Sequence, residues 1–455
     1  MVQLIYRAYL EHPCVTTDSR QCPEGSIFFA LKGERFDGNA FAVETLQKGC
    51  SYAVIDDSGV KQQHEGTPLG ERLFLVEDVL DTLQRLAAYH REQFRTWPKP
   101  VKVVGITGTN GKTTTKELLN AVLSRKYNVL ATAGNLNNQI GVPLTLLKVT
   151  PQHDIAIVEM GANHPMDIAE LCAIARPDYG LITNVGKAHL LGFGSLEGVV
   201  AAKTKLYDSL SLTGGTAFVD AGNQYLMPRA AGLPVISYSD AAVTTDSDYW
   251  GRFLSCSPYL SFMALDMIIN TRLIGSYNLI NCIAAVAVGL TFGVSMPQIK
   301  AALEGYEPQN MRSQLIDLGY GRQLILDAYN ANPTSMMAAL SSFNLNTAEH
   351  KSLILGEMRE LGEESGREHV AILRYLMQPE VTFGDILLVG EEFIRAWHSL
   401  SDDEVMQLGQ KRSVRCYSDV DALIADGSAL RSLAGTILVK GSRGIQLEKA
   451  ARALQ

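Results

Sequence analysis

Val103-Val104-Gly105-Ile106-Thr107-Gly108-Thr109-Asn110-Gly111-Lys112-Thr113-Thr114-Thr115 is the stretch from which the fold follows. An apolar, β-branched run enters a turn with two glycines, and a helical segment opens at Lys112-Thr113. Strand, glycine-rich turn and helix together make a cradle for phosphate. Backbone N–H groups converge at Gly108 and Gly111, and the helix N-terminus adds partial positive charge. Lys112 can reach the β- and γ-phosphates, and the Thr113 hydroxyl can bind Mg²⁺. The common expression for such loops asks for a glycine where Ile106 stands. The segment is therefore either a variant phosphate loop or a strand–helix turn without nucleotide, and the Lys-Thr pair in register favours the loop.

Strands and helices alternate on both sides of this loop. Ile155–Glu159 and Tyr179–Asn184 read as strands; Thr113–Arg125, Met166–Ala175 and Leu196–Ser209 read as helices. That alternation predicts an α/β fold with a parallel sheet wrapped by helices. The stretch from Thr216 to Ile274 is more β-like and reads as a side sheet, and an Ala- and Val-rich buried helix begins near Asn278. Upstream, Ser26–Leu31 and Tyr52–Ile55 read as strands and Val79–Phe94 as a helix, closed by Thr96-Trp97-Pro98-Lys99-Pro100. Downstream, strands at Gln323–Asp327, Ser352–Leu355, Ile386–Val389 and Thr436–Val439 alternate with helices after Pro333 and at Ser365–Met377, as in a smaller doubly wound, Rossmann-like domain. Three domains follow, at 1–97, 98–310 and 311–455, matching a length of 455 residues at roughly 150 residues each.

Composition narrows the class. Forty Lys and Arg against 48 Asp and Glu give a formal net charge of -8, the wrong sign for a general nucleic-acid binder. The seven cysteines show no CxxC pair and no metal-ligand spacing, so they read as free thiols of a reducing compartment. No apolar run of about 18 residues suggests a membrane span, and the N-terminus lacks the pattern of a secretory signal. The expectation is a cytoplasmic protein.

Several further positions carry chemistry or a plain structural role. Glu159 ends a strand near the loop, where a carboxylate is well placed to hold Mg²⁺. His189 in Asn184–His189 reads by itself as structural, and Lys203 as a solvated cation; an ammonium cannot ligate a metal. Asn278 in Gly275–Asn281 either recognises an adenine edge or caps its helix. Arg312 sits at a domain boundary, where closure can bring it onto a nucleotide.

Gly108–Thr114 resembles the ATP loop of the Mur ligases and folylpolyglutamate synthases, which is a variant of the common one. The resemblance extends from Thr17 to about Glu448 and so spans all three domains. It implies ATP at Gly108, Thr109, Asn110, Gly111, Lys112, Thr113, Thr114, Asn278, Asn281, Arg312 and Asp327. It also implies two Mg²⁺ ions, one on Thr113 and Glu159 and one on Glu159, His189 and Lys203, with Lys203 carbamylated into a carboxylate-type ligand. Lys112, Glu159, His189 and Lys203 are then the catalytic set. Leu191 and Lys205 stand where relatives often carry glutamates, and Gln139 where histidine is common.

Thr17–Arg20 and Phe28–Gly38 look like a UDP-binding N-terminal domain, with Ser19 on uracil and Arg20 and Lys32 on the pyrophosphate. Gly134–Pro143, with Asn137 and Asn138, and Asp327–Ser335, with Tyr329, Asn330, Asn332 and Ser335, resemble the branch that adds D-alanyl-D-alanine. Leu355–Gly362 and Val439–Gly444 match it too. That branch implies two substrates, a UDP-N-acetylmuramoyl tripeptide and D-alanyl-D-alanine, joined through an acyl phosphate by a monomer. The alternatives are a ligase for a single amino acid, including a folylpolyglutamate synthase, and a regulator that binds ATP without turnover.

Overall fold

The computed structural model of the chain describes residues 1–308, 311–409 and 412–455. The expected domain boundary at 310 lies outside the described residues. Three large sheets follow one another along the chain. The first has four parallel strands, ordered Val15–Thr16, Ile27–Phe29, Tyr52–Ile55 and Leu73–Leu75. Helix Val79–Gln93 starts where the Asp78 carboxylate accepts from Asp81 N at 2.7 Å, which satisfies one free N–H of the first turn. Helix Val2–Glu11, for which the sequence raised no expectation, packs against it.

The other side of Val79–Gln93 lies on helices Gly141–Leu146 and Asp167–Ala175 of the second unit. One apolar core therefore runs from Ile5 and Leu83 through Val103 and Val158 to Leu206. Buried Arg91 locks the join. Its guanidinium donates to Ala175 O at 2.9 Å and Arg176 O at 2.7 Å, and pairs with Asp178 at 2.9 Å.

The second sheet has nine strands, in the order Met267–Ile274, Tyr259–Ala264, Tyr249–Cys256, Val235–Asp240, Thr216–Asp220, Tyr179–Ile182, Lys102–Thr107, Ile155–Glu159 and Val129–Ala131. Neighbours are parallel except at the two hairpin pairings of the last three strands in the chain. The stretch from Thr216 to Ile274 thus continues the central sheet and forms no separate side sheet. Thr216–Asp220 pairs directly with Tyr179–Ile182, and the apolar helix Asn278–Thr291 lies across the added strands and covers them. Ile155–Glu159 is buried throughout, as a strand covered on both faces must be.

The helix expected at Leu196–Ser209 is two helices, Leu196–Lys203 and Lys205–Thr213. Thr204 divides them: its hydroxyl turns back to Val200 O at 2.9 Å and Ala201 O at 3.3 Å, a local bond that bends helices. Lys203 becomes the last residue of the first helix.

The third sheet is ordered Gln314–Gly319, Arg322–Asp327, Thr436–Lys440, Lys351–Gly356, Asp385–Val389 and Ser413–Tyr417, with only the first strand antiparallel. Helices Pro333–Asn344 and Ser365–Leu376 fall where the sequence places them. No helix among the described residues is long and apolar enough to cross a membrane.

Candidate active site

Strand Lys102–Thr107 lies between Ile155–Glu159 and Tyr179–Ile182. The chain leaves it to opposite sides, and this switch point is where open α/β sheets bind ligands. Gly108 has φ +146°, and a Cβ there would lie 1.9 Å from Thr183 Oγ1. Gly111 has φ +78°, and its Cβ would come within 2.9 Å of Asn281 Oδ1. Conformation and space both demand glycine.

The neighbouring strand's end holds the loop. Thr183 Oγ1 donates to Asn110 O at 2.6 Å, Asn184 Nδ2 donates to the same oxygen at 3.0 Å, and Asn110 N donates to Asn184 Oδ1 at 2.9 Å. These side chains explain why the strand expected to reach Asn184 stops at Ile182. Lys112 Nζ folds back onto Gly108 O at 2.7 Å and Thr109 O at 3.1 Å. Burial lowers its pKa; Glu159 opposes the shift and Arg312 adds to it.

Glu159 stands beside the loop. Its Oε1 accepts from Thr113 Oγ1 at 3.2 Å and Asn137 Nδ2 at 2.8 Å, while Oε2 is buried without a partner. An orphaned carboxylate oxygen next to a hydroxyl suits a divalent cation. His189 adopts φ 50° and pairs through Nδ1 with the Glu360 carboxylate of the third unit. Burial pushes its pKa down, Glu360 opposes this, and Lys112 and Lys203 push it further down.

Lys203 is 2% exposed. Its ammonium makes no hydrogen bond or ion pair among the described residues, and the nearest aromatic ring, Phe193, has its centroid 5.8 Å away. Burial holds it well below the ordinary lysine range, with the Lys112 charge adding to the shift and Asp167 opposing it. No cluster of three His, Cys, Asp or Glu stands ready for a metal among the described residues. The expected second set contains only two such side chains, Glu159 and His189, beside the buried amine of Lys203.

A cleft of about 680 Å³ gathers most of the expected residues. Thr109 to Thr114, Asn137, Asn138, Glu159, His189, Asn278, Asn281 and Arg312 line it, with Asp327, Tyr329, Asn330 and Ser335 on the facing wall. Asn278 does not cap its helix: its amide donates to Ile274 O at 2.8 Å and accepts from Asn281 at 3.0 Å. Arg312 lies 4.0 Å over the Tyr329 ring. Four of the expected residues are committed to the protein itself. Asp327 pairs with buried Lys440 at 2.6 Å, Asn138 accepts from Gly141 N at 2.9 Å, and Asn332 and Ser335 cap helix Pro333–Asn344 reciprocally.

Ser19, Arg20 and Lys32 do not line the cleft. Arg20 pairs with Asp18 at 2.9 Å, Lys32 pairs with Asp56 at 2.8 Å, and Ser19 O accepts from Lys48 Nζ at 3.3 Å. Leu191 is 74% exposed and Lys205 pairs with Asp208 at 2.9 Å, so neither supplies a carboxylate near Lys203.

The second and third units meet at the cleft mouth. Asn332 Nδ2 donates to Asn110 Oδ1 at 2.8 Å, Lys187 N donates to Thr334 Oγ1 at 3.1 Å, and Lys187 Nζ reaches Glu368 at 2.6 Å. Sequence reading missed Thr183, Lys187, Glu360 and Glu368, and it passed over Asn184 except as part of the segment before His189. The positions just after a strand that neighbours the phosphate loop were the available signal for Thr183 and Asn184. Glu360 lies in the matched segment Leu355–Gly362, which gave it no role, and nothing local marks Glu368.

A variant phosphate loop, a lone strand-end carboxylate and a closing third domain define an ATP-using α/β enzyme class, and family models agree. "Mur ligase family, catalytic domain" matches residues 13–91, "Mur ligase middle domain" 106–289 and "Mur ligase, glutamate ligase domain" 311–443. The chain belongs to the Mur ligase family. The UDP-N-acetylmuramoyl-tripeptide--D-alanyl-D-alanine ligase of Bacillus subtilis (strain 168) is 32% identical over 97% of this chain and 92% of its own length. The enzyme of the same name from Escherichia coli (strain K12) is 34% identical over 97% and 93%. MurF from Acinetobacter baumannii superposes with a TM-score of 0.82 at 30% identity, covering 97% of this chain and 93% of that one. MurF ligase from Thermotoga maritima, solved with ADP, gives 0.77 at 26% identity, covering 98% and 97%.

Proposed function

We propose that this protein uses ATP to join D-alanyl-D-alanine to a UDP-N-acetylmuramoyl tripeptide through an acyl phosphate, building a peptidoglycan precursor. The carrying observation is one cleft in which the Lys112 loop and Glu159 face Tyr329–Ser335 of the third unit. The names borne by the relatives from Bacillus subtilis and Escherichia coli support the same reading. Lys112 leaves the Gly108 and Thr109 carbonyls and meets the β- and γ-phosphates. The tripeptide's terminal carboxylate attacks the γ-phosphorus, and ADP departs. The dipeptide amine then attacks the acyl carbon, loses a proton and expels phosphate, leaving an amide.

Thr113 and Glu159 would hold one Mg²⁺ ion, and Glu159, His189 and carbamylated Lys203 a second; the ions neutralise charge on the transferring phosphoryl group. Closure of the third unit through Asn332, Thr334 and Glu368 keeps water from the acyl phosphate. Ser19, Arg20 and Lys32 bind the UDP end. The reading includes action as a monomer, and the soluble precursors suit the cytoplasm.

The test supplies ATP, Mg²⁺ and tripeptide with either the dipeptide or single amino acids. Phosphate release only with the dipeptide, and a product heavier by the dipeptide less one water, is expected. Release with a single amino acid contradicts the substrate, and ATP binding without turnover favours a regulator. Glu159→Ala is expected to keep its melting temperature within a few degrees while losing roughly 100- to 1,000-fold in kcat.

A further inference from the structure

A second, smaller pocket of about 240 Å³ adjoins the nucleotide cleft. Loops at 330–332, 359–360 and 442–444 of the third unit wall it, and His189 closes it from the second unit. His189 and Asn330 line both spaces, so the two communicate. Tyr329 stands between them. Arg312, a cleft residue, lies 4.0 Å over its ring, and Arg443, a pocket residue, lies 5.2 Å from the same centroid.

Two guanidinium groups thus line the small pocket. Arg443 forms no ion pair among the described residues; the Tyr329 ring fixes it without neutralising it. Arg359 has one carboxylate neighbour, Glu357, 3.5 Å from Nε. Its backbone is held by Ser442 Oγ, which accepts from Arg359 N at 3.0 Å. Its guanidinium lies so close over Gly444 that a Cβ there would fall 2.3 Å from Nη1. A side chain at Gly444 would push the Arg359 guanidinium from this position. Arg443 has no anion beside it among the described residues, Glu357 meets only the Nε side of Arg359, and Glu360 on the pocket wall is engaged by His189, so the two guanidinium groups retain donors for an anionic ligand; planar guanidinium forks suit a carboxylate.

We infer that Arg443 and Arg359 bind the free C-terminal carboxylate of the incoming dipeptide. This rests on the ligase reading above and deepens it. The acceptor must place its amine at the acyl phosphate in the cleft while its other end lies elsewhere. The pocket shares its open side with the cleft at His189 and Asn330, so a dipeptide anchored by its carboxylate points its amine toward the reacting carbon. Neither arginine touches the reacting atoms; both are positioning residues that select an acceptor with a carboxylate at its far end.

The test compares D-alanyl-D-alanine with its C-terminal amide as acceptor. Wild-type enzyme is expected to prefer the acid by roughly 30- to 100-fold in kcat/KM, the usual weight of a charge-assisted contact. In Arg443→Ala, KM for the dipeptide rises by a similar factor, the preference over the amide collapses, and KM for ATP and for the tripeptide stays within twofold. Arg443→Lys restores part of the preference, and Arg359→Gln reproduces the loss more weakly. An unchanged acid preference in both Arg443→Ala and Arg359→Gln overturns the inference, as does a rise in KM confined to the tripeptide. Wild-type enzyme that turns over neither acceptor refutes the ligase reading itself, a distinct result.

Discussion

The loop that carries Lys112 and the helix end that carries Lys203 both bury a lysine, yet they treat it in opposite ways. Lys112 donates to two carbonyls and feels the Glu159 carboxylate. Lys203 has apolar surroundings, no polar partner among the described residues, and a strongly depressed pKa. An ammonium partnered by carbonyls and facing a carboxylate suits a phosphate. Desolvation of an unpartnered amine favours its neutral form, the nucleophilic state in which lysine adds CO₂. The difference teaches that residue type alone does not assign a role: the same side chain is held by polar partners in one place and left without one in the other.

The largest effect that could break this comparison is on turnover. Lys112→Ala is expected to lower kcat by about 1,000-fold, the scale of a lost transition-state donor, in single-turnover phosphate release. A loss under tenfold would remove the phosphate role. Lys203→Met is expected to lose roughly 100-fold yet melt higher than wild type in metal-free, CO₂-stripped buffer, because it removes an uncompensated buried amine. Stripping CO₂ from wild type should lower activity, with bicarbonate restoring it; insensitivity to bicarbonate would leave Lys203 as a plain amine.

A smaller effect sharpens the picture of closure. Asn332→Ala removes the amide pair with Asn110 and a helix cap, so KM for ATP should rise about threefold to tenfold and stability should fall by about 1 kcal/mol, read by calorimetry.

The smallest effect concerns a buried acid remote from both lysines. Burial raises the pKa of Asp220 to about 6, the Gly222 N–H opposing and Asp240 adding. A carboxyl raised in the fold stabilises the protein while protonated, below its unfolded value of about 4, and loses that contribution as pH rises through about 6. Asp220→Asn should therefore gain about 2 kcal/mol at pH 7, a gain that vanishes at pH 4 in urea titrations. An equal gain at both values would show that no titration is involved.

The three-sheet plan was legible because it is written in local period: Ile155–Glu159 and Tyr52–Ile55 are strands at the residues expected. The phosphate loop was legible because two glycines, a lysine and a threonine do their work within a few residues of one another. What escaped was set by contacts distant in sequence. The Thr216–Ile274 strands extend the main sheet because of what Tyr179–Ile182 offers as a neighbour, and one hydroxyl at Thr204 divides a periodic helix. Glu360 and Glu368 face His189 and Lys187 only once the third unit closes, and no pattern around either glutamate announces that. Ser19, Arg20 and Lys32 carry a resemblance, but the fold engages two of them with Asp18 and Asp56 and keeps all three away from the cleft.

The central claim is that the donor carboxylate takes the phosphoryl group before the amine attacks. It is tested most directly with tripeptide whose terminal carboxylate carries heavy oxygen, turned over with ATP and D-alanyl-D-alanine. One labelled oxygen per molecule of released phosphate is expected, because that oxygen bridges carbon and phosphorus in the acyl phosphate. Unlabelled phosphate alongside the ligated product would contradict it.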